Sequence, residues 1–251
     1  MIFQTDDLGA DYPYLLQEVK EWGNIVPSRI GETKEILNLR LELMNPRRCI
    51  VSRKGFSRKF MDEEILQLLA GKYDHDRLHA ISPVAASLIT EATAYGPRTA
   101  DHLEFVAEEL KNNPTSRRAV VYVGRHDDLA AAKYDSNTAG EMPCTMTWQF
   151  HLRKPFLHMT VNMRSWDLVW GLTYDIPSFV AVQLALCDAL GAIPGTYVHN
   201  AGSGHIYDKH YDLEAHSVAG YRLNVNFLAG SIEETRSKAL ELMEGGVHAA
   251  H

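Results

Sequence analysis

Cys144 follows Pro143 at the head of the run MPCTMTWQF. A cysteine becomes a nucleophile where accessible positive charge favours its thiolate; elsewhere it is a small buried hydrophobe. Asp175 lies between Tyr174 and Ile176, just ahead of a nearly all-apolar stretch, where an unpaired carboxylate is costly to bury. Arginine and lysine come in tight pairs, in NPRRC, SRKGFSRKF and TSRRAV, and a few converging guanidinium groups suffice to hold one phosphate. Arg118 could equally be a solvated residue at a strand start. VHNAGSGHIYDKHYDLEAH holds His199, His205, His210 and His216, at spacings that fit neither a helical-turn metal pair nor a finger. The glycines in NAGSGH predict a loop, on which His205 and Tyr207 alternate onto one face, suited to the hydroxyls of a small ligand. A cysteine protease joining Cys144 to one of these histidines stays open, although no feature singles out the pair. Asp175 capping a helix before Pro177 is open too.

The elements that must position these groups read as a mixture. GFSRKFMDEEILQLLAG carries Phe60, Ile65, Leu68 and Leu69 at helical spacing and stops at Gly71, and TADHLEFVAEELKNNP is a second helix. RRAVVYVG, TMTWQFHL, FLHMTVNM, TYVHN and YRLNVNFL read as strands, with RKP a turn between two of them. PSFVAVQLALCDALG opens on a first-turn proline, ends in glycine and is apolar nearly all round, which predicts a helix buried inside the domain. SIEETRSKALELMEGG is a late helix that Ser231 can cap with Glu234. Helices and strands do not alternate strictly, so the expected class is α+β.

With 251 residues the expected organisation is one domain, 1–251. The apolar stretch from Ile176 to Leu190 is interrupted by Ser178, Gln183 and Asp188, too short and polar for a bilayer span. The opening MIFQTDDLGADYP lacks the pattern of a secretion signal, so a cytoplasmic location is expected. Three cysteines, Cys49, Cys144 and Cys187, without CxxC spacing, argue against a disulfide framework or structural zinc. A net charge of −7 argues against a general nucleic-acid surface.

MPCTMTWQF, then RSWDLVWGLTYDIPSF, then GHIYDKH resemble the signature blocks of the thymidylate synthase family. NPTSRRAVV, EILQLLAG and, more loosely, SRIGET resemble other family segments, in family order from about residue 29 to about residue 216. The resemblance implies a thymidylate synthase-like mixed sheet packed by helices around a buried central helix, and a homodimer formed through the sheet. It implies that Cys144 adds to C6 of a pyrimidine nucleotide, with Glu64 organising water and proton transfer and Tyr95, of the Tyr-Gly block, a further catalytic group. Arg164 and Ser165 would hold the 5′-phosphate, with Arg29 closing over it. Arg117 and Arg118 would reach the nucleotide of the partner subunit. Gln149 would contact substrate, and His205 and Tyr207 the sugar 3′-hydroxyl. Asp167 would lie beside the pterin of 5,10-methylenetetrahydrofolate, the co-substrate. No metal is expected.

Thymidylate synthases carry Asn where this chain has Asp175. Cytosine reverses the hydrogen-bonding edge of uracil, and a carboxyl matches the reversed edge: one oxygen accepts from N4–H while a shared proton bridges the other to N3. Asp at this place resembles the family's deoxycytidylate hydroxymethylases. The segment KYDHDRLHAISPVAASLITEATAYGPR lacks the usual tryptophan, Thr145 stands where the family has His, and GGVHAAH lacks the closing apolar tail. These departures disfavour hydride transfer. The expectation is therefore C5-hydroxymethylation of dCMP, with CMP as an alternative acceptor. C5-methylation of dCMP or dUMP and a non-catalytic nucleotide- or RNA-binding role stay open.

Overall fold

The computed structural model describes residues 1–129 and 142–245; of the segment GGVHAAH all but Gly245 lies outside them. In chain order the elements are β1 (Ile2–Thr5), α1 (Leu8–Trp22), β2 (Asn24–Ser28), β3 (Gly31–Leu43) and β4 (Ser52–Arg53). Helices α2 (Arg58–Ala70), α3 (His75–Ile81), α4 (Pro83–Ala86) and α5 (Tyr95–Asn112) follow. Then come β5 (Val120–Tyr122), β6 (Thr145–Arg153), β7 (Phe156–Met163), β8 (Trp166–Asp167) and α6 (Gly171–Leu190). The chain continues as β9 (Ile193–Tyr207), a 3-10 turn Asp208–His210, β10 (Ala215–His216) and α7 (Ile232–Glu244).

The main sheet runs β1-β3-β9-β7-β6-β5, with β2 on β3 and β8 on β9. It is mixed: β1 pairs parallel to β3, and β7 and β8 parallel to β9, while the other neighbours are antiparallel. Alternation explains its two faces. Trp148, Phe150 and Leu152 of β6 and Leu157, Met159 and Val161 of β7 are buried, whereas Gln149, His151, His158 and Thr160 between them are partly exposed. On that second face side chains bond strand to strand. Arg40 Nη1 donates to Asn200 Oδ1 at 3.2 Å, Asn200 Nδ2 to Asn162 Oδ1 at 3.1 Å, and Asn162 Nδ2 to Thr147 Oγ1 at 3.0 Å.

Helix α6 is buried nearly all round, packing on β7 and β9 and against α2, α5 and α7. The α+β class and the buried central helix expected from the sequence are the architecture found. Ser57 caps α2 by accepting from Phe60 N, and Ser231 caps α7 by accepting from Glu234 N.

Three expectations are corrected. The central helix begins at Gly171, so Pro177 lies inside it and Asp175 is in its second turn, not at its cap. Asp167 instead organises the turn before the helix, its Oδ1 accepting from Val169 N at 2.7 Å and Trp170 N at 3.2 Å, while Trp170 at the N-cap makes no side-chain cap bond. NAGSGH is not a loop but part of the 15-residue strand β9. Gly204 sits where β3 lies close: a Cβ there would collide with the Leu39 side chain. YRLNVNFL forms no strand; Leu223, Val225 and Phe227 are buried alternately, but the segment joins no ladder.

Candidate functional site

Strands β6 and β7 place the two groups a nucleophilic site needs. Thr145 is paired with Met163, so Cys144, just before β6, and Arg164, just after β7, face each other, and Arg164 N donates to Cys144 O at 2.9 Å. The guanidinium also donates from Nε to Pro143 O at 3.2 Å and from Nη2 to Met142 O at 2.8 Å. It thus braces the turn that presents the thiol. Burial pushes the Cys144 thiol up, and the charge of Arg164 pulls the other way. Cys49 and Cys187 are buried, and desolvation holds both up at about 12.

Cys144 and Arg164 open onto a cavity of about 360 Å³, which Arg29, Glu64, Tyr95, Ser165, Asp167, Asp175 and Tyr207 also line. Nine of the thirteen residues expected from the sequence therefore meet in one place. Their sources are scattered: the β2–β3 turn, α2, the start of α5, the β6 and β7 ends, β8, α6 and the end of β9. Tyr95 reaches it because Gly96 lets α5 abut the end of α2, where a Cβ would come within 2.5 Å of Lys72 O.

Inside the cavity Thr145 Oγ1 donates to the Tyr95 hydroxyl at 3.1 Å, and that hydroxyl donates to Asp175 Oδ1 at 3.3 Å. Burial nevertheless pushes Asp175 up to about 7, with the Asp167 charge adding to the rise. The bond from Tyr95 opposes it, as does the Trp166 indole N–H, which lies near but completes no hydrogen bond. Glu64 is raised well above the usual carboxylate range, first by burial and then by the charge of Asp175, and its Oε2 is buried without a partner. Two poorly compensated acids thus flank one thiol. Such a site can hold or move a proton near neutral pH.

His205 is buried and does not line the cavity; its ring meets that of Tyr207 edge to face, centroids 5.1 Å apart. Gln149, Arg117 and Arg118 stand away from the cavity. Gln149 Nε2 donates to Arg117 O at 3.1 Å, and exposed Arg118 pairs with Glu109 at 2.9 Å. Among the described residues no three His, Cys, Asp or Glu side chains gather as metal ligands, and no helix is long and apolar enough to cross a membrane.

Sequence reasoning passed over two sets of cavity residues. Leu68, Leu78, Leu88 and Ile89 give the cavity apolar lining, and Ser178 lies one turn beyond Asp175. The apolar spacing around Leu68 was readable; Ser178 carried no local signal.

A mixed sheet thus offers a cysteine, an arginine and two raised acids to one cavity, groups whose chemistry can serve nucleophilic catalysis and anion binding. Residues 72–222 match the family model described as thymidylate synthase, and the chain belongs to the thymidylate synthase family. It is 30% identical over 112 residues to the thymidylate synthase of Bacillus phage phi3T, covering 45% of this chain and 38% of that one. The thymidylate synthase of Bacillus subtilis subsp. natto gives the same figures. That of Bacillus atrophaeus is 29% identical over 112 residues, 45% of this chain and 46% of the relative. The chain thus matches less than half the length of these relatives.

Proposed function

We propose that this chain, acting as one catalytic domain, hydroxymethylates C5 of a cytidine monophosphate, dCMP before CMP, using 5,10-methylenetetrahydrofolate. The observation that carries the choice of base is Asp175. Its carboxyl lines the cavity that Cys144 opens onto, has Tyr95 on one oxygen, and is pushed up to about 7. A group poised there can accept from N4–H and share a proton with N3 of cytosine. A site built for one edge leaves buried polar groups unpaired with the other, which gives strong discrimination.

The other roles follow from chemistry. The Cys144 thiolate attacks C6, and proton sharing at N3 draws electron density away from that carbon. Arg164 and Ser165 hold the 5′-phosphate, Arg29 closes over it, and Tyr207 meets the sugar, with buried His205 packed edge to face against its ring. The apolar lining of Leu68, Leu78, Leu88 and Ile89 suits an aromatic co-substrate, with Asp167 near its polar end. When bound, the folate supplies a one-carbon unit at the oxidation level of formaldehyde. Glu64 then takes the proton of the water that completes the hydroxymethyl group. Two chains would join through the partly exposed sheet face, with Arg117 and Arg118 directed to the partner's nucleotide.

The relatives' names favour a second reading, methylation of C5. Mass analysis of the product from dCMP, CMP and dUMP separates the two: a hydroxymethyl gain on a cytidylate is expected, and a methyl gain overturns the choice of water over hydride. Asp175→Asn is expected to move preference from cytosine toward uracil; unchanged selectivity removes the argument for the base.

A further inference from the structure

Ser178 lies three residues beyond Asp175 in α6, on the same side of the helix. A serine inside a helix ordinarily returns its hydroxyl to a carbonyl one turn back or turns it to solvent. Thr173 in the same helix does the first, bonding Val169 O at 3.0 Å and Trp170 O at 3.2 Å. Ser178 does neither: it is 4% exposed and its Oγ has no partner. It does line the cavity.

Buried polar atoms left unsatisfied are rare in folded proteins, and each calls for a reason. Among the described residues, only two such side-chain atoms belong to residues lining this cavity, Glu64 Oε2 and Ser178 Oγ. They come from different helices, α2 and α6. An enclosed water needs two to four polar partners, and these atoms supply two.

We propose that Ser178 is a further catalytic residue, its hydroxyl acting with Glu64 Oε2 to hold the water that reacts with the one-carbon unit. The inference rests on the hydroxymethylation reading above. Once the folate has left, C5 of the nucleotide carries an exocyclic methylene while C6 is bonded to Cys144 Sγ. The water oxygen bonds to the methylene carbon, the C=C pair shifts into the ring, and one water proton passes to the Glu64 carboxylate. The ring pair then restores C5=C6 as the C6–Sγ bond breaks, and the departing thiolate is free to be reprotonated. Carbon arrives and leaves at the same oxidation level, so no reductant is consumed. Ser178 stays unchanged, orienting the water through one hydrogen bond.

The test compares single turnovers of wild type, Ser178→Ala and Ser178→Thr, with enzyme in excess over 5-tritiated dCMP and with methylenetetrahydrofolate present. Tritium release reports events before water addition, and hydroxymethylated product reports the addition itself. Alanine is expected to keep tritium release within about twofold while product formation falls about tenfold, the worth of one transition-state hydrogen bond. The KM for dCMP is expected to hold, and threonine to restore much of the loss. Product formed by Ser178→Ala at the wild-type rate, or release and product falling together, overturns the role of Ser178 alone. A wild-type chain that releases tritium but makes only methylated product, or acts on no nucleotide, overturns the reading of function and this proposal with it.

Discussion

Glu63 and Glu64 are neighbours on α2 with opposite circumstances. Glu63 is fully buried and saturated: Arg77 reaches it through Nε at 2.7 Å and Nη2 at 2.9 Å, and Gln67 Nε2 donates at 2.9 Å. Glu64, turned toward the cavity, has a buried oxygen with no partner at all. Arg98 and Asp128, joined at 2.5 Å and 2.9 Å, repeat the saturated pattern away from the cavity, whereas Asp175 has, among the described residues, no cation beside it and one hydrogen bond, from Tyr95. Where the fold needs rigidity it completes its charges, and where it needs reactivity it withholds the partner. The withheld compensation is a stability cost kept for function.

That contrast can be broken by substitution. Removing one partner of a buried ion pair costs about 3–5 kcal/mol, so Arg77→Met is expected to lower stability by about 3 kcal/mol in urea denaturation. Glu64→Gln removes an acid that nothing neutralises; it is expected to leave stability unchanged or raised while product formation falls steeply. Equal destabilisation by the two changes would end the distinction.

The titration of the cavity sharpens it. Asp175 is raised from its ordinary value of 3.8 to about 7, so between those values the folded chain holds a proton the unfolded chain has lost. That contribution is present below about pH 4 and is lost as pH rises through 7. His199, buried and stacked on Trp166 at 3.8 Å, is lowered from 6.5 to about 3, which works in the opposite sense: its contribution is present above 6.5 and lost as pH falls. The two slopes oppose each other from about pH 4 to 6.5. In Asp175→Asn the opposing Asp175 slope is removed while the His199 slope stays, so stability is expected to rise more steeply from pH 5 to 7 than in wild type, by on the order of 2 kcal/mol. Parallel profiles would mean that Asp175 is not held protonated.

The smallest effect belongs to the surface. Exposed Arg118, paired with Glu109, is expected to tolerate Arg118→Ala without a measurable change in melting temperature. A fall in activity without a fall in stability would fit a role in a neighbouring subunit's site.

Much of the cavity lining was legible through the resemblance of MPC, RSWD and GHIYDKH to blocks of the family; taken by themselves, Cys144 and the histidines left several readings open. The strands β6 and β7 were legible from alternation. Strand β3 was not read, although Leu37, Leu39, Leu41 and Leu43 alternate through it; charged Arg40 and Glu42 between them hid a sheet interior. The start of α6 was misplaced because Pro177 looks like a first-turn residue, and it is the bond from distant Arg53 to Thr173 that marks the turn before it as already helical. Arg53 donates to Val169 O at 2.8 Å and to Thr173 Oγ1 at 3.2 Å, across 116 and 120 positions of sequence. A shorter separation, 14 positions, concealed the saturation of Glu63 by Arg77, since the two lie on different helices. An unpartnered hydroxyl such as that of Ser178 is a property of surroundings, not of a residue type.

The row of bonded side chains Arg40, Asn200, Asn162 and Thr147 crosses four strands on the sheet face opposite the buried one. A slip of one residue by β7 would turn Asn162 to the other face and sever two of its three links. The same slip would carry Arg164 about 3.3 Å along the sheet, away from the carbonyl of Cys144. These amides and this guanidinium therefore act as a lock on strand alignment, keeping thiol and cation opposite one another from the reverse side of the sheet.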